Sequence, residues 1–363
     1  MVEPVDPDHA LQPRNDSERL LFRNLYRSLI RLDCRGEARP ELAESWVRES
    51  DAGVWSLMTR DGARWSSGAP VTAADVARDL TAARSRSPYP GIDSAQPLGP
   101  RQLRLFLPST ENSRIDVLAD PTLAIPDSGW TAASREIRIP AHDGLPEVEL
   151  LLFPGEDPRD VLDRGVDLMI TRERRLMEYA AGRPELESVP LPWTRSYVLV
   201  APPGAPLLQL AASEPERRSL ARDAVPADAR PAEPIAWWPR NACSGQPPDS
   251  AGPSRAPRIA YVRGDEVART LAERAVAVAE PGERLKTLAL EPEEFRASLS
   301  RGAERAYVVA LPRQSLTPCA DATQLPTGWS RQPLVDTRAH AILRKSAPAL
   351  TVDWDGVVRP AGR

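Results

Sequence analysis

Asn24-Leu25-Tyr26-Arg27-Ser28-Leu29, then Leu32-Asp33, then Pro40-Glu41-Leu42-Ala43-Glu44-Ser45-Trp46 follow one another closely near the start of the chain. Trp55 comes next, then Arg60-Asp61-Gly62-Ala63-Arg64-Trp65 and Ser67-Gly68-Ala69-Pro70-Val71-Thr72-Ala73-Ala74-Asp75-Val76. Apolar residues at helical spacing after the capping residues Asn15-Asp16-Ser17 predict a helix over 17–30. Asp61-Gly62, flanked by apolar runs, predicts a hairpin of strands 54–58 and 63–66. Thr72 three residues before Asp75 predicts a capped helix through Val76, Leu80 and Ala83 that stops before Pro88.

Outward from this stretch, 101–107 alternates as a half-buried strand, and 147–153 reads as another. Residues 201–256 are dense in Pro, Ala and Ser and read as connector around a short helix near 217–223. From 258 to 311 the pattern is strand, helix, strand, helix, strand, the sign of a small α/β unit with a parallel sheet.

The ordered succession over 24–80 resembles the family 5 extracellular solute-binding proteins, the capture components of ABC importers for peptides, nickel chelates and related solutes. Weaker likeness extends through Asp6-Pro7, Leu118-Ala119-Asp120-Pro121, Arg164-Gly165-Val166-Asp167-Leu168, and 258–310 to Asp355-Gly356-Val357-Val358-Arg359. The resemblance implies an α/β, two-lobed, class II periplasmic-binding-protein-like fold. Its first lobe is discontinuous, 1–200 plus 325–363, and its second is reduced, 201–324. It further implies a periplasmic or cell-surface receptor that closes its lobes on a peptide or peptide-like solute. The partner would be an ABC permease in the membrane, and the receptor a monomer. Met1-Val2-Glu3-Pro4 opens directly into polar sequence, so a leader is expected to be absent from this sequence. The chain departs from the family pattern where a His-Asp pair is replaced by Ser66-Ser67, and where no Thr-Gly-Pro-Tyr stretch appears around 130–140. A non-transport sensor or interaction module with a shrunken pocket is the alternative reading.

Trp193, Arg195 and Tyr197 fall where the resemblance sends the chain between its lobes, and Trp237-Trp238 stand in the connector. An Arg that can pair bidentately with a carboxylate, beside aromatic walls, suits a peptide. These five residues are the candidate ligand contacts. Trp46, Trp55 and Trp65 belong to the family motif and are expected in the core.

Composition restricts the alternatives. The 363 residues are 41% apolar and 27% charged with a net charge of −4, which offers no basic footprint for nucleic acid. Only Lys286 and Lys345 among the 47 basic residues are lysines, an Arg-heavy usage that reads as coding bias. H-E-x-x-H, P-loop, G-x-G-x-x-G and G-x-S-x-G patterns do not occur, so the chain reads as a non-enzyme without cofactor. Asp6, Asp8 and His9 are of metal-ligating type, but with three histidines in all they read as a loop end. Among three cysteines, Cys243 and Cys319 are the candidate disulfide pair, since both sit in Pro-rich irregular stretches.

Overall fold

The computed structural model describes residues 1–10, 13–51, 53–65, 68–86, 92–108, 115–125, 135–139, 141, 146–202, 213–224, 226–234, 256–279, 284–313 and 328–361. They form two compact units, one of Met1–Ile170, Glu185–Glu187 and Ala341–Arg363, the other of Thr171–Pro184 and Ser188–His340.

In the first unit, α1 (Asp16–Leu25) begins at Asn15, whose side chain accepts from the Glu18 backbone N–H at 2.8 Å. The Glu18 carboxylate, 1% exposed, accepts from the backbone N–H groups of Asp6 and Arg14. Leu21 and Phe22 pack the helix against Ile137, Leu150 and Leu152. The helix stops at Leu25, short of the expected 30, because the next residues are claimed by strand pairing. Tyr26 is already extended, Arg27 bridges Ile125, and the Ser28 and Leu29 carbonyls accept from the Leu42 and Ala43 N–H groups.

A short antiparallel pair, β1 (Ile30–Leu32) and β2 (Ala38–Pro40), leads into β3 (Ala43–Arg48) and β4 (Val54–Thr59). After α2 (Ala73–Arg86), β5 (Ser94–Pro97) and β6 (Gln102–Phe106) complete an antiparallel sheet of order β3-β4-β6-β5. The expected 54–58/63–66 hairpin is therefore not formed. Instead β4 lies between β3 and β6, and the turn at Asp61-Gly62 feeds a tight loop. In that loop Val71 N–H donates to Ala63 C=O and Trp65 N–H to Ala69 C=O. Trp46, Trp55 and Trp65 are half-buried rather than core. Val76, Leu80, Leu57, Leu103 and Leu105 are among the buried residues here. The chain continues through β7 (Glu136–Ile139), β8 (Val148–Leu151), α3 (Pro158–Asp163) and β9 (Leu168–Thr171).

The second unit holds α4 (Arg174–Ala181), β10 (Leu186–Ala201) from Ser188 onward, α5 (Glu214–Asp223), β11 (Asp228–Pro231), β12 (Ala256–Val262), α6 (Glu266–Val278), β13 (Lys286–Leu290), α7 (Pro292–Arg301), β14 (Glu304–Pro312) and β15 (Ser330–Arg344) as far as His340. Strand order is β11-β15-β10-β14-β12-β13, with β9 pairing β15. Strand β12 is parallel to both β13 and β14, the arrangement that the alternation over 258–311 predicts. One face of this sheet packs Tyr197, Leu199, Ile259 and Val308 against Leu220, Val267 and Leu271 of α5 and α6. The other packs Val198, Val200, Ala260 and Tyr307 against Phe295 and Leu299 of α7 and against Trp329.

The compact units break near 170, 188 and 340 rather than at 200 and 325. Residues 188–200 and 330–340 pair inside the second sheet and bury side chains in its core, so they pack with the second unit. After 340 the chain returns to the first unit with the hairpin β16 (Leu350–Val352) and β17 (Val358–Pro360).

Candidate functional site

The polar end of the second unit's sheet is built by β10, β11 and β15. Alternation along paired strands puts residues two apart on one face. On β11 these are Asp228 and Arg230, and on β15 they are Asp336, Arg338 and His340. The pairing aligns Asp228 with Arg338 and Arg230 with Asp336. Ala227, just before Asp228, lies in the core under α5 and α6 and Ala229, between Asp228 and Arg230, packs against it, so this charged set lies on the opposite face.

Asp336 is the anchor. It is 0% exposed, and Arg313 Nη1 lies 2.7 Å from each of its carboxylate oxygens. It also accepts from Ser196 Oγ and, at 3.2 Å, from the Glu233 backbone N–H, while Arg230 Nε stands at 3.4 Å. A buried carboxylate is tolerated when charge and donors surround it in this way.

A second group adjoins it. Arg338 Nε and His340 Nε2 both reach Asp228 Oδ2, at 2.6 and 2.8 Å, and Ser188 Oγ lies 2.9 Å from His340 Nδ1. Burial pushes the Asp228 carboxyl upward, but the bonds from His340 and Arg338 outweigh it and hold the group below its ordinary value.

The candidate contacts fall into two groups. Trp193 is half-buried, with the guanidinium carbons of Arg230 and Arg338 at 4.7 and 4.5 Å from its ring centroid, within cation–π range. Tyr197 is 2% exposed and packs on the α5–α6 side. Its hydroxyl donates to the Asp265 carboxylate, 3.0 and 3.1 Å from the two oxygens. Asp265 in turn caps α6 through the Ala268 N–H. Burial and the Asp265 charge both raise the Tyr197 pKa, and Arg195, hydrogen-bonded to the same hydroxyl, works against them. Arg195 and Tyr197 are thus brought together, and Trp193 sits with a different set of guanidiniums. Trp237 and Trp238 lie outside the described residues, as do Cys243, Cys319 and the Ser66-Ser67 departure. Cys34 is free and exposed.

Asp6 and His9 serve the entry to α1. Asp6 Oδ1 accepts from the Asp8 N–H, and His9 Nδ1 lies 2.7 Å from Glu18. Among the described residues no group of three His, Cys, Asp or Glu side chains is placed to hold a metal ion.

Asp228, Arg230, Arg313, Asp336, Arg338 and His340 did not emerge from the sequence reading. The available signal was the alternation Asp336, Arg338, His340 against Thr337, Ala339, Ala341, which marks a strand with one polar face.

The fold is the α/β, class II, two-lobed solute-binding fold. The substrate-binding domain of an oligopeptide ABC transporter from Bacillus anthracis matches it with a TM-score of 0.62 at 11% identity, over 97% of this chain and 96% of that one. The likeness to family 5 solute-binding proteins read from residues 24–80 also holds among relatives by sequence. A binding protein of Haemophilus influenzae is 35% identical over 88 residues, 23% of this chain and 17% of that protein. The periplasmic oligopeptide-binding protein OppA of Escherichia coli is 39% identical over 74 residues, 20% of this chain and 13% of OppA. The matched segments are therefore a small part of those relatives. No protein-family model matches the chain.

Proposed function

We propose that this protein is an extracytoplasmic receptor that captures a peptide or peptide-like solute and delivers it to the membrane permease of an ABC importer. The observation that carries the reading is the fold match over nearly the whole chain to a substrate-binding domain of an oligopeptide transporter. The local likeness to an oligopeptide-binding protein supports it independently. Trp193 and Arg195 are the proposed contacts, with Trp237 and Trp238 as further aromatic walls, whereas Tyr197, 2% exposed and bonded to Asp265, belongs to the core and leaves the contact set. No helix among the described residues is long and apolar enough to cross a membrane, which is compatible with a permease supplying the membrane part.

Trp193 offers an apolar ring, and the guanidiniums of Arg230 and Arg338 beside it offer charge complementary to a peptide carboxylate. Isothermal titration against di- to hexapeptides should give saturable binding. Trp193→Ala or Arg195→Ala should weaken it by about tenfold or more, the scale of a contact worth ~1.4 kcal/mol. Binding that both variants leave unchanged would remove these residues from the site. Absence of binding across the panel would favour the non-transport reading.

A further inference from the structure

We propose that Ser188 is an activated nucleophile, the reactive end of a Ser188–His340–Asp228 relay that takes acyl groups from small carboxylic esters. This goes beyond solute capture and does not depend on it. The three side chains come from three neighbouring strands, β10, β15 and β11, and each leg is a hydrogen bond: Ser188 Oγ to His340 Nδ1 at 2.9 Å, and His340 Nε2 to Asp228 Oδ2 at 2.8 Å.

The proton inventory fixes the direction of the relay. An ionised carboxylate only accepts, so the hydrogen on neutral His340 sits on Nε2 and points to Asp228. Nδ1 then carries the lone pair, and the Ser188 hydroxyl donates to it. A serine hydroxyl bonded to an imidazole that is itself oriented by a carboxylate is the arrangement that activates serine nucleophiles. The ring is turned compared with the commonest serine hydrolases, the base here being Nδ1. Arg338 binds the same Asp228 oxygen at 2.6 Å, which keeps the carboxylate charged and fixed. The groups that face His340 are thus Asp228 from β11 and Ser188 from β10, with Arg338 of its own strand reaching it through Asp228. The His340 side chain is 13% exposed, whereas Ser188 is partly exposed. The base is sheltered and the nucleophile can be reached.

The step balances as follows. Ser188 Oγ attacks the ester carbonyl carbon and a new C–O bond forms, while the hydroxyl proton passes to His340 Nδ1. The ester C–O bond to the leaving alcohol breaks, and that alcohol takes the proton from His340. Water then attacks the acyl-serine with His340 again as base, releasing the carboxylic acid and restoring Ser188.

The test uses the full chain with a fluorophosphonate probe, in which the Ser188 Oγ–P bond forms as the P–F bond breaks, and with p-nitrophenyl acetate. Mass spectrometry should locate a single adduct on Ser188, and labelling should be faster at pH 8 than at pH 5, as expected of a nucleophile served by a general base. Ser188→Ala should abolish labelling, and His340→Gln should slow it by about a hundredfold, the lower end of what a positioned base contributes. Should His340→Gln fail to fold, the pH comparison on the native chain decides. No adduct on Ser188, a rate equal at pH 5 and pH 8, or labelling indifferent to His340→Gln would each overturn the proposal.

Discussion

Asp336 collects Arg313 at 2.7 Å, the Ser196 hydroxyl and the Glu233 N–H while wholly removed from water. Removing the carboxylate leaves the Arg313 guanidinium, 13% exposed, without its closest counter-ion. Asp336→Ala should therefore cost ~3–5 kcal/mol in urea unfolding, the range for breaking a buried pair on one side. A loss below about 1 kcal/mol would mean that Arg313 finds water or Glu233 at little cost. At this scale the sequence was least legible. Trp193 and Arg195 stand out by type, yet their partners are set by pairing. Arg230 meets Asp336, and Asp228 meets Arg338, only through a register joining segments about a hundred residues apart. Periodicity shows which residues share a face and says nothing of which strand lies opposite.

Helix α2 shows the local rules at work. The Thr72 hydroxyl accepts from the Asp75 N–H at 3.1 Å, and the Asp75 carboxylate accepts from the Thr72 hydroxyl and backbone N–H at 2.6 and 3.2 Å. This reciprocal cap was readable from four residues because both partners lie within one turn. The bond from the Thr72 hydroxyl, opposed by burial and aided by the Thr72 N–H and Arg78, holds the Asp75 carboxyl below its ordinary 3.8. The native state thus binds that proton less readily than the unfolded chain. Its stabilisation is full above pH 3.8 and is lost as pH falls through the lower native value. Thr72→Ala should cost about 1 kcal/mol at neutral pH. In thermal melts that gap should shrink as the pH falls below 3.8, and a pH-independent gap would assign the loss to something other than Asp75. Between β3 and β4, Gly53 has φ +83°, and a Cβ there would stand 2.6 Å from the Leu107 carbonyl oxygen. Gly53→Ala should lower stability by about 2 kcal/mol, strain and backbone clash together. A melting temperature equal to the native one would show that β6 yields at that point. The misread hairpin marks the limit of local rules. Asp61-Gly62 does turn the chain, but β4 pairs with β6, over forty residues later, because that register covers its core face with Leu103 and Leu105.

At the scale of the whole molecule, the first unit is assembled from separate segments of the chain, and its closing segment is tied to its opening one. Asp353, 0% exposed, accepts from Arg359 Nε at 3.0 Å and Arg31 Nη1 at 3.4 Å, with Arg23 of α1 at 3.8 Å. Arg359 also donates to Glu41 at 2.9 Å. These charges join residues over three hundred positions apart within one compact unit. The resemblance implies a first lobe of 1–200 plus 325–363, and the compact units break at 170, 188 and 340. The proposed capture of a peptide-like solute is tested at this scale too. A ligand that binds only the folded state stabilises it by RT ln(1 + [L]/Kd), about 2.7 kcal/mol at a hundredfold excess over Kd. For a chain of this size that corresponds to a rise of several degrees in Tm. The most direct measurement is the melting temperature of the full chain across a panel of di- to hexapeptides. At least one peptide should raise Tm by several degrees in a concentration-dependent way, and a flat response across the panel would rule out capture of such a solute.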